Sequence, residues 1–136
     1  MARHRVFVYG SLLSGLANHR MIGRPTTVFL GEGRTLNGGW SMMDMTHYPA
    51  LFVDLDGPSV VGEVYEVDDE TMSHLDRLEG YPGFYDRMEV MVTTEGGDHI
   101  CWVYFLDNAE DLPRVPNNDW RTYFAARGWK SVWSKS

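Results

Sequence analysis

Two stretches of this chain carry residue types and spacings able to do chemistry. The first is Tyr9-Gly10-Ser11-Leu12. Glycine permits a sharp turn and a close approach to the main chain. Ser11 adds a hydroxyl, and the residues after Gly10 can present unpaired N–H groups. Such a nest of main-chain donors holds a carboxylate or phosphate without any basic side chain. A plain exit from strand to loop is equally compatible with these residues. The second stretch ends on Glu79, four positions after Leu75, which places it on or beside the apolar face of a helix. It also stands at that helix's C-terminal end, where the dipole disfavours an anion. A carboxylate that breaks two local rules points to function. The plainer alternative is a solvated glutamate at a frayed helix end.

Other chemistries fail on spacing. Gly10 and Gly15 have the separation of a phosphate loop's glycines, but Leu16 and Ala17 stand where lysine and serine or threonine are needed. Gly31 and Gly33 begin a dinucleotide-like pattern that Leu36 ends. His4, His19, His47, His74 and His99 are scattered, so no metal is expected. His19 is the one histidine near a motif, and hydrogen bonding within the loop is its expected role. Ser11 and Ser14 lack a nucleophile elbow. Cys101, between Ile100 and Trp102, reads as a buried thiol, with nucleophile as the second reading.

The elements that must position these groups follow from pattern. Residues 6–9, a β-branched and aromatic run, predict a short, largely buried strand. Residues 13–23 predict loop or a short helical turn. Further strands are expected at 26–33, 40–45 and 60–67, with Gly38-Gly39 a turn or bulge, residues 46–51 loop into strand, and Asp56-Gly57-Pro58 a turn. The clearest helix covers 68–78. Asp68 is its N-cap, Asp69 and Glu70 favour its first turn, and Val67 with Met72 form a hydrophobic staple. Met72, Leu75 and Leu78 make its buried stripe, Gly80 its C-terminal cap, and Pro82 prevents continuation. A hairpin of 88–94 and 100–106 turns about Glu95-Gly96-Gly97-Asp98. Residues 111–118 are loop. A short helix covers 119–127 and ends at Gly128, with Trp129 and Trp133 expected to pack on the barrel.

The 136 residues predict one domain with a real core. A formal charge of -7 argues against nucleic acid and anionic membrane as partners. It leaves an anionic small molecule open, since a local nest acts against the global charge. The lone cysteine suits a reducing compartment, and residues 3–5 with the short run after them form neither a leader nor a membrane span. A cytoplasmic location is therefore expected.

The motifs also resemble a family. Val6 to Leu12, with Asn18-His19 following, is similar to the opening of the γ-glutamylcyclotransferase-like proteins, in particular their γ-glutamylamine cyclotransferase and AIG2-like branch. Gly62-Glu63-Val64-Tyr65 resembles a strand of that family. So does Leu75-Asp76-Arg77-Leu78-Glu79-Gly80-Tyr81-Pro82, with Tyr85-Asp86-Arg87 after it, resemble the family's second motif. Asp119-Trp120-Arg121 with Tyr123 resembles a closing segment of bacterial members. The resemblance spans most of residues 5–127 and implies an α+β fold, a mixed, largely antiparallel β-barrel with flanking short helices. It implies that Glu79 is the acid/base and Asp76 a surface or packing residue. Tyr9, Gly10, Ser11 and Leu12 would bind substrate, with Tyr48, Pro49, Tyr85 and Tyr104 lining the pocket. The implied reaction converts an L-γ-glutamyl amide into 5-oxoproline and a free amine, with no cofactor. A non-catalytic module binding γ-glutamyl or other small acidic ligands is the alternative. Neither the leaving amine nor the oligomeric state is written in the motifs.

Overall fold

The computed structural model describes residues 3–46, 48–107 and 111–126. Five strands close into a barrel in the order β1-β5-β2-β6-β7: β1 (Arg3–Val8), β2 (Val28–Thr35), β5 (Val61–Asp68), β6 (Asp86–Thr94) and β7 (Gly97–Phe105). Neighbours pair antiparallel except β1 and β7, whose parallel pairing at Val6 and Trp102 closes the ring. The strands expected at 6–9, 60–67, 88–94 and 100–106 all belong to this barrel. A separate two-stranded sheet, β3 (Trp40–Asp44) and β4 (Pro49–Val53), joins the barrel where the Leu106 N–H donates to the Leu51 carbonyl at 2.8 Å.

The apolar run of β1 is continuous because both of its faces are covered. Val6 and Val8 enter one core cluster with Leu75, Tyr85 and Tyr104, while Phe7 and Tyr9 enter another with Trp40, Leu51 and Val103. Cys101 is buried there, and burial pushes its thiol up to about 11, so it is an inert thiol at neutral pH.

Helix α1 (Asp69–Glu79) has the expected ends. The Asp68 carboxylate accepts from the Thr71 N–H at 2.8 Å and from the Thr26 hydroxyl at 2.7 Å. These donors, Thr26 first, hold it well below the usual carboxylate range. Gly80 adopts the left-handed conformation (φ 68°, ψ 34°) that ends the helix. Helix α2 (Trp120–Ala126) buries Trp120 against Phe124 and Tyr123. Its expected end at Gly128, and the packing of Trp129 and Trp133, lie outside the described residues. No described helix is long and apolar enough to cross a membrane.

Several expectations change, beginning with the first strand, which spans Arg3–Val8 instead of residues 6–9 and leaves Tyr9 in the turn after it. Leu78 is not in the buried stripe: Met72 and Leu75 are buried, but Leu78 is exposed because the last turn of α1 overhangs a cavity instead of the core. Strand β2 lies two residues later than expected. Thr26 is occupied by Asp68, and Gly33, Arg34 and Thr35 gain β6 as a partner. The hairpin turn is tighter, because Thr94 pairs with Gly97 and only Glu95 and Gly96 remain outside the ladder.

A buried carboxylate ties the Gly10–His19 loop to both the barrel and α2. Glu63 on β5 accepts from the Ser14 N–H and hydroxyl, each at 2.8 Å, from the Tyr65 hydroxyl at 2.9 Å and from Arg121 at 3.1 Å. Glu63→Ala strands several donors at once and is expected to cost about 2–4 kcal/mol in urea denaturation, with Glu63→Gln costing less. A loss below about 0.5 kcal/mol would mean that water replaces the carboxylate freely.

Candidate active site

One cavity of about 350 Å³ opens between the end of β1, the start of β4 and the end of α1. Each site residue expected from the sequence lines it: Tyr9, Gly10, Ser11 and Leu12 from the turn after β1, Tyr48 and Pro49, Glu79, then Tyr85 and Tyr104. Phe7, Val8, Ala17, Asn18, Leu78 and Phe84 complete the wall. Of these, Phe7, Val8, Asn18 and Leu78 stand inside the motifs, and Phe84 directly precedes the named Tyr85. Ala17 left no trace in the sequence.

The turn after β1 is built to leave donors free. Its chain folds back through Leu13 N–H to the Gly10 carbonyl at 2.9 Å and Asn18 N–H to the Ser11 carbonyl at 2.9 Å. Asn18 Nδ2 also donates to Ser11 Oγ at 3.0 Å, and His19 Nδ1 to the Leu12 carbonyl at 2.9 Å. His19 thus has the loop-bracing role expected of it. Among the described residues, no hydrogen bond uses the N–H groups of Gly10, Ser11 or Leu12. Gly10 has room for nothing larger, because a Cβ there would stand 2.6 Å from Cδ of Pro49.

The three buried tyrosines are scaffolding at their hydroxyls and wall at their rings. Tyr9 donates to the Tyr104 carbonyl at 2.7 Å, Tyr85 to the Pro49 carbonyl at 3.1 Å, and Tyr104 to Asp76 at 2.8 Å. Burial raises the hydroxyls of Tyr9 and Tyr85 first; Glu79 follows at Tyr9, and Tyr9 and then Glu79 at Tyr85. Burial and the hydrogen bond to Asp76 lead at Tyr104. None of the three is a proton donor or acceptor near neutral pH. Asp76 also accepts Arg87 through both oxygens, at 2.8 and 2.9 Å. The Arg87 guanidinium is held between the rings of Tyr81 and Trp102, 4.5 Å from each. This cluster fastens the last turn of α1 to β6 and β7, and hence fixes where Glu79 stands.

Glu79 itself is half-buried, and no described side chain pairs with its carboxyl. Desolvation pushes it from 4.5 up to about 7. Its environment therefore makes it a group that exchanges protons at neutral pH. Among the described residues, no cluster of three or more histidine, cysteine or acidic side chains could hold a metal ion.

Comparison with known proteins agrees with this geometry. The family model described as γ-glutamyl cyclotransferase, AIG2-like, matches residues 6–122. The chain belongs to this family. It is a γ-glutamylcyclotransferase-type enzyme. The γ-L-glutamyl-butirosin B γ-glutamyl cyclotransferase of Niallia circulans is 36% identical to it, over 87% of this chain and 76% of that one. The γ-glutamylaminecyclotransferase of Bos taurus is 36% identical over 73% of this chain and 63% of its own. The crystal structure of an AIG2-like protein from Mus musculus superposes with a TM-score of 0.76 at 28% identity, covering 88% of this chain and 89% of that one. In this cyclotransferase, both family motifs fall on the wall of the one cavity just described.

Proposed function

We propose that the enzyme cyclises L-γ-glutamyl amides to 5-oxoproline, with Glu79 as general acid and base. The observation that carries this is the Glu79 carboxyl, paired with no described side chain and poised near neutrality, across a cavity from three main-chain donors that no described residue engages. The N–H groups of Gly10, Ser11 and Leu12 hold the glutamyl carboxylate. Glu79 takes one proton from the α-ammonium group, and the freed nitrogen attacks the γ-carbonyl carbon. The C–N bond to the amine then breaks as Glu79 returns that proton to the departing nitrogen, and the ring nitrogen gives up its second proton through Glu79, so that the lactam is neutral and the amine leaves as an ammonium. An acceptor raised from 4.5 to about 7 takes a proton from an α-ammonium group more readily than an ordinary carboxylate does. Ring closure is intramolecular, so holding the chain in a folded conformation supplies a large part of the acceleration. The tyrosine rings keep water from the reacting atoms.

The test is to incubate the enzyme with a panel of γ-glutamyl amides and to quantify 5-oxoproline. Release from none of them would favour the binding-module reading.

The pH dependence has two opposite signs. Glu79 must be ionised to accept a proton, so kcat/KM should fall as pH drops through about 7. Stability runs the other way. The folded state holds this proton more tightly than the unfolded chain, so the contribution of Glu79 is most favourable below 4.5 and is lost as pH rises to about 7. Glu79→Gln should therefore melt higher than wild type at pH 8, and no higher at pH 4. Identical melting shifts at the two pH values would mean that the carboxyl is ordinarily solvated.

A further inference from the structure

The cavity has two unlike ends. Its inner wall is made by the buried Tyr9, Leu12 and Tyr85, whereas Tyr48, Leu78 and Phe84 line it and remain 37%, 41% and 56% exposed. These three come from separate segments, ahead of β4, at the end of α1, and between α1 and β6. Phe84 is held firmly: its ring packs edge-on against Tyr85 at 4.9 Å, and its N–H donates to the Gly80 carbonyl at 2.9 Å. Among the described residues, Glu79 is the one charged side chain on the cavity wall.

We propose that this apolar rim is the subsite for the leaving amine and selects γ-glutamyl amides of alkyl or aryl amines over amides whose amine carries a second positive charge. The inference rests on the cyclotransferase reading of the site. With the glutamyl carboxylate at the buried turn and the α-amino group at Glu79, the amide substituent has only the open end to occupy. There it meets the Leu78 and Phe84 side chains and the Tyr48 ring, and covering them removes apolar surface from water. Among the described residues of this wall a distal ammonium would find no free carboxylate, since Glu79 is engaged with the α-amino group. Nearby Asp76 is already paired with Arg87 and Tyr104. The overall charge of -7 draws cations to the molecule in general, but its field is screened over roughly 8 Å in physiological salt and distinguishes no subsite.

The experiment compares γ-glutamyl-n-pentylamide with γ-glutamyl-5-aminopentylamide, equal in length and differing in a terminal ammonium. Wild type should favour the pentylamide in kcat/KM by about 10-fold or more. Phe84→Ser and Leu78→Ser, each at an exposed position, should shrink that ratio several-fold. Phe84→Glu should turn it toward the aminopentylamide. A wild-type ratio near one, with both amides cyclised, overturns the inference and leaves the cyclotransferase reading intact. So does a ratio unmoved by Phe84→Ser and Leu78→Ser. If Phe84→Ser instead dissociates an oligomer at unchanged selectivity, the rim belongs to a second copy of the chain and the inference falls. If neither amide nor any other γ-glutamyl amide yields 5-oxoproline, the cyclotransferase reading itself fails, and the inference with it.

Discussion

Glu79→Gln should lower turnover by about 10²–10⁴-fold while leaving 5-oxoproline binding within a few-fold of wild type. Glutamine keeps the length and hydrogen-bonding reach of glutamate but can no longer take a proton. The affinity for a carboxylate comes from the main-chain donors of Gly10, Ser11 and Leu12, which the substitution does not touch. Since no described residue pairs with the Glu79 carboxyl, its removal strands no partner. The protein should therefore stay folded, and a thermal melt alongside the kinetics separates chemistry from unfolding. Two results would sink the proposal. One is near-wild-type cyclisation by Glu79→Gln; the other is a loss of activity accounted for wholly by unfolded protein.

Gly10→Val should raise KM for γ-glutamyl amides by roughly 100-fold or more, a far larger effect than that of Ser11→Ala. A side chain at residue 10 collides with Pro49, since even a Cβ would stand 2.6 Å from Cδ and 2.7 Å from Cγ. Proline is rigid, and this one begins β4, so the turn itself must move and carry the donor N–H groups out of register. Among the described residues Ser11 Oγ meets only Asn18 Nδ2, and its loss is worth about 0.5–1.5 kcal/mol, or roughly 10-fold at most. The close contact also suggests a rescue. Gly10→Ala should be repaired in part by adding Pro49→Ala, and failure of that repair would show that the collision is not the cause. If Ser11→Ala proved as damaging as Gly10→Val, the hydroxyl would be acting chemically and the main-chain nest would not be the anchor.

What the sequence determined by itself was whatever depends on neighbours along the chain. The β-branched and aromatic run from Val6 read as a short, largely buried strand, and Val6–Val8 lie in β1. Asp68 and Gly80 bounded a helix, because an N-cap acceptor and a left-handed glycine act within one turn. The same periodicity put Glu79 at the end of that helix in an unfavourable place, and the motif resemblance named its companions on the cavity wall. The tertiary structure decided what depends on distant partners. Leu78 obeys the spacing of the buried stripe, yet it is exposed on the cavity rim, because spacing does not say where a helix overhangs what it packs on. Glu63 reads as one residue of an alternating strand, and only folding brings it Ser14, 49 positions away, and Arg121, 58 away. Tyr9 finds its acceptor 95 residues on, at Tyr104. Likewise the proton affinity of Glu79 is no property of its helix. It follows from burial in a cavity whose wall it shares with Tyr9, Tyr85 and Tyr104, residues that strand register and barrel closure bring together, because desolvation sums over space and not along the chain.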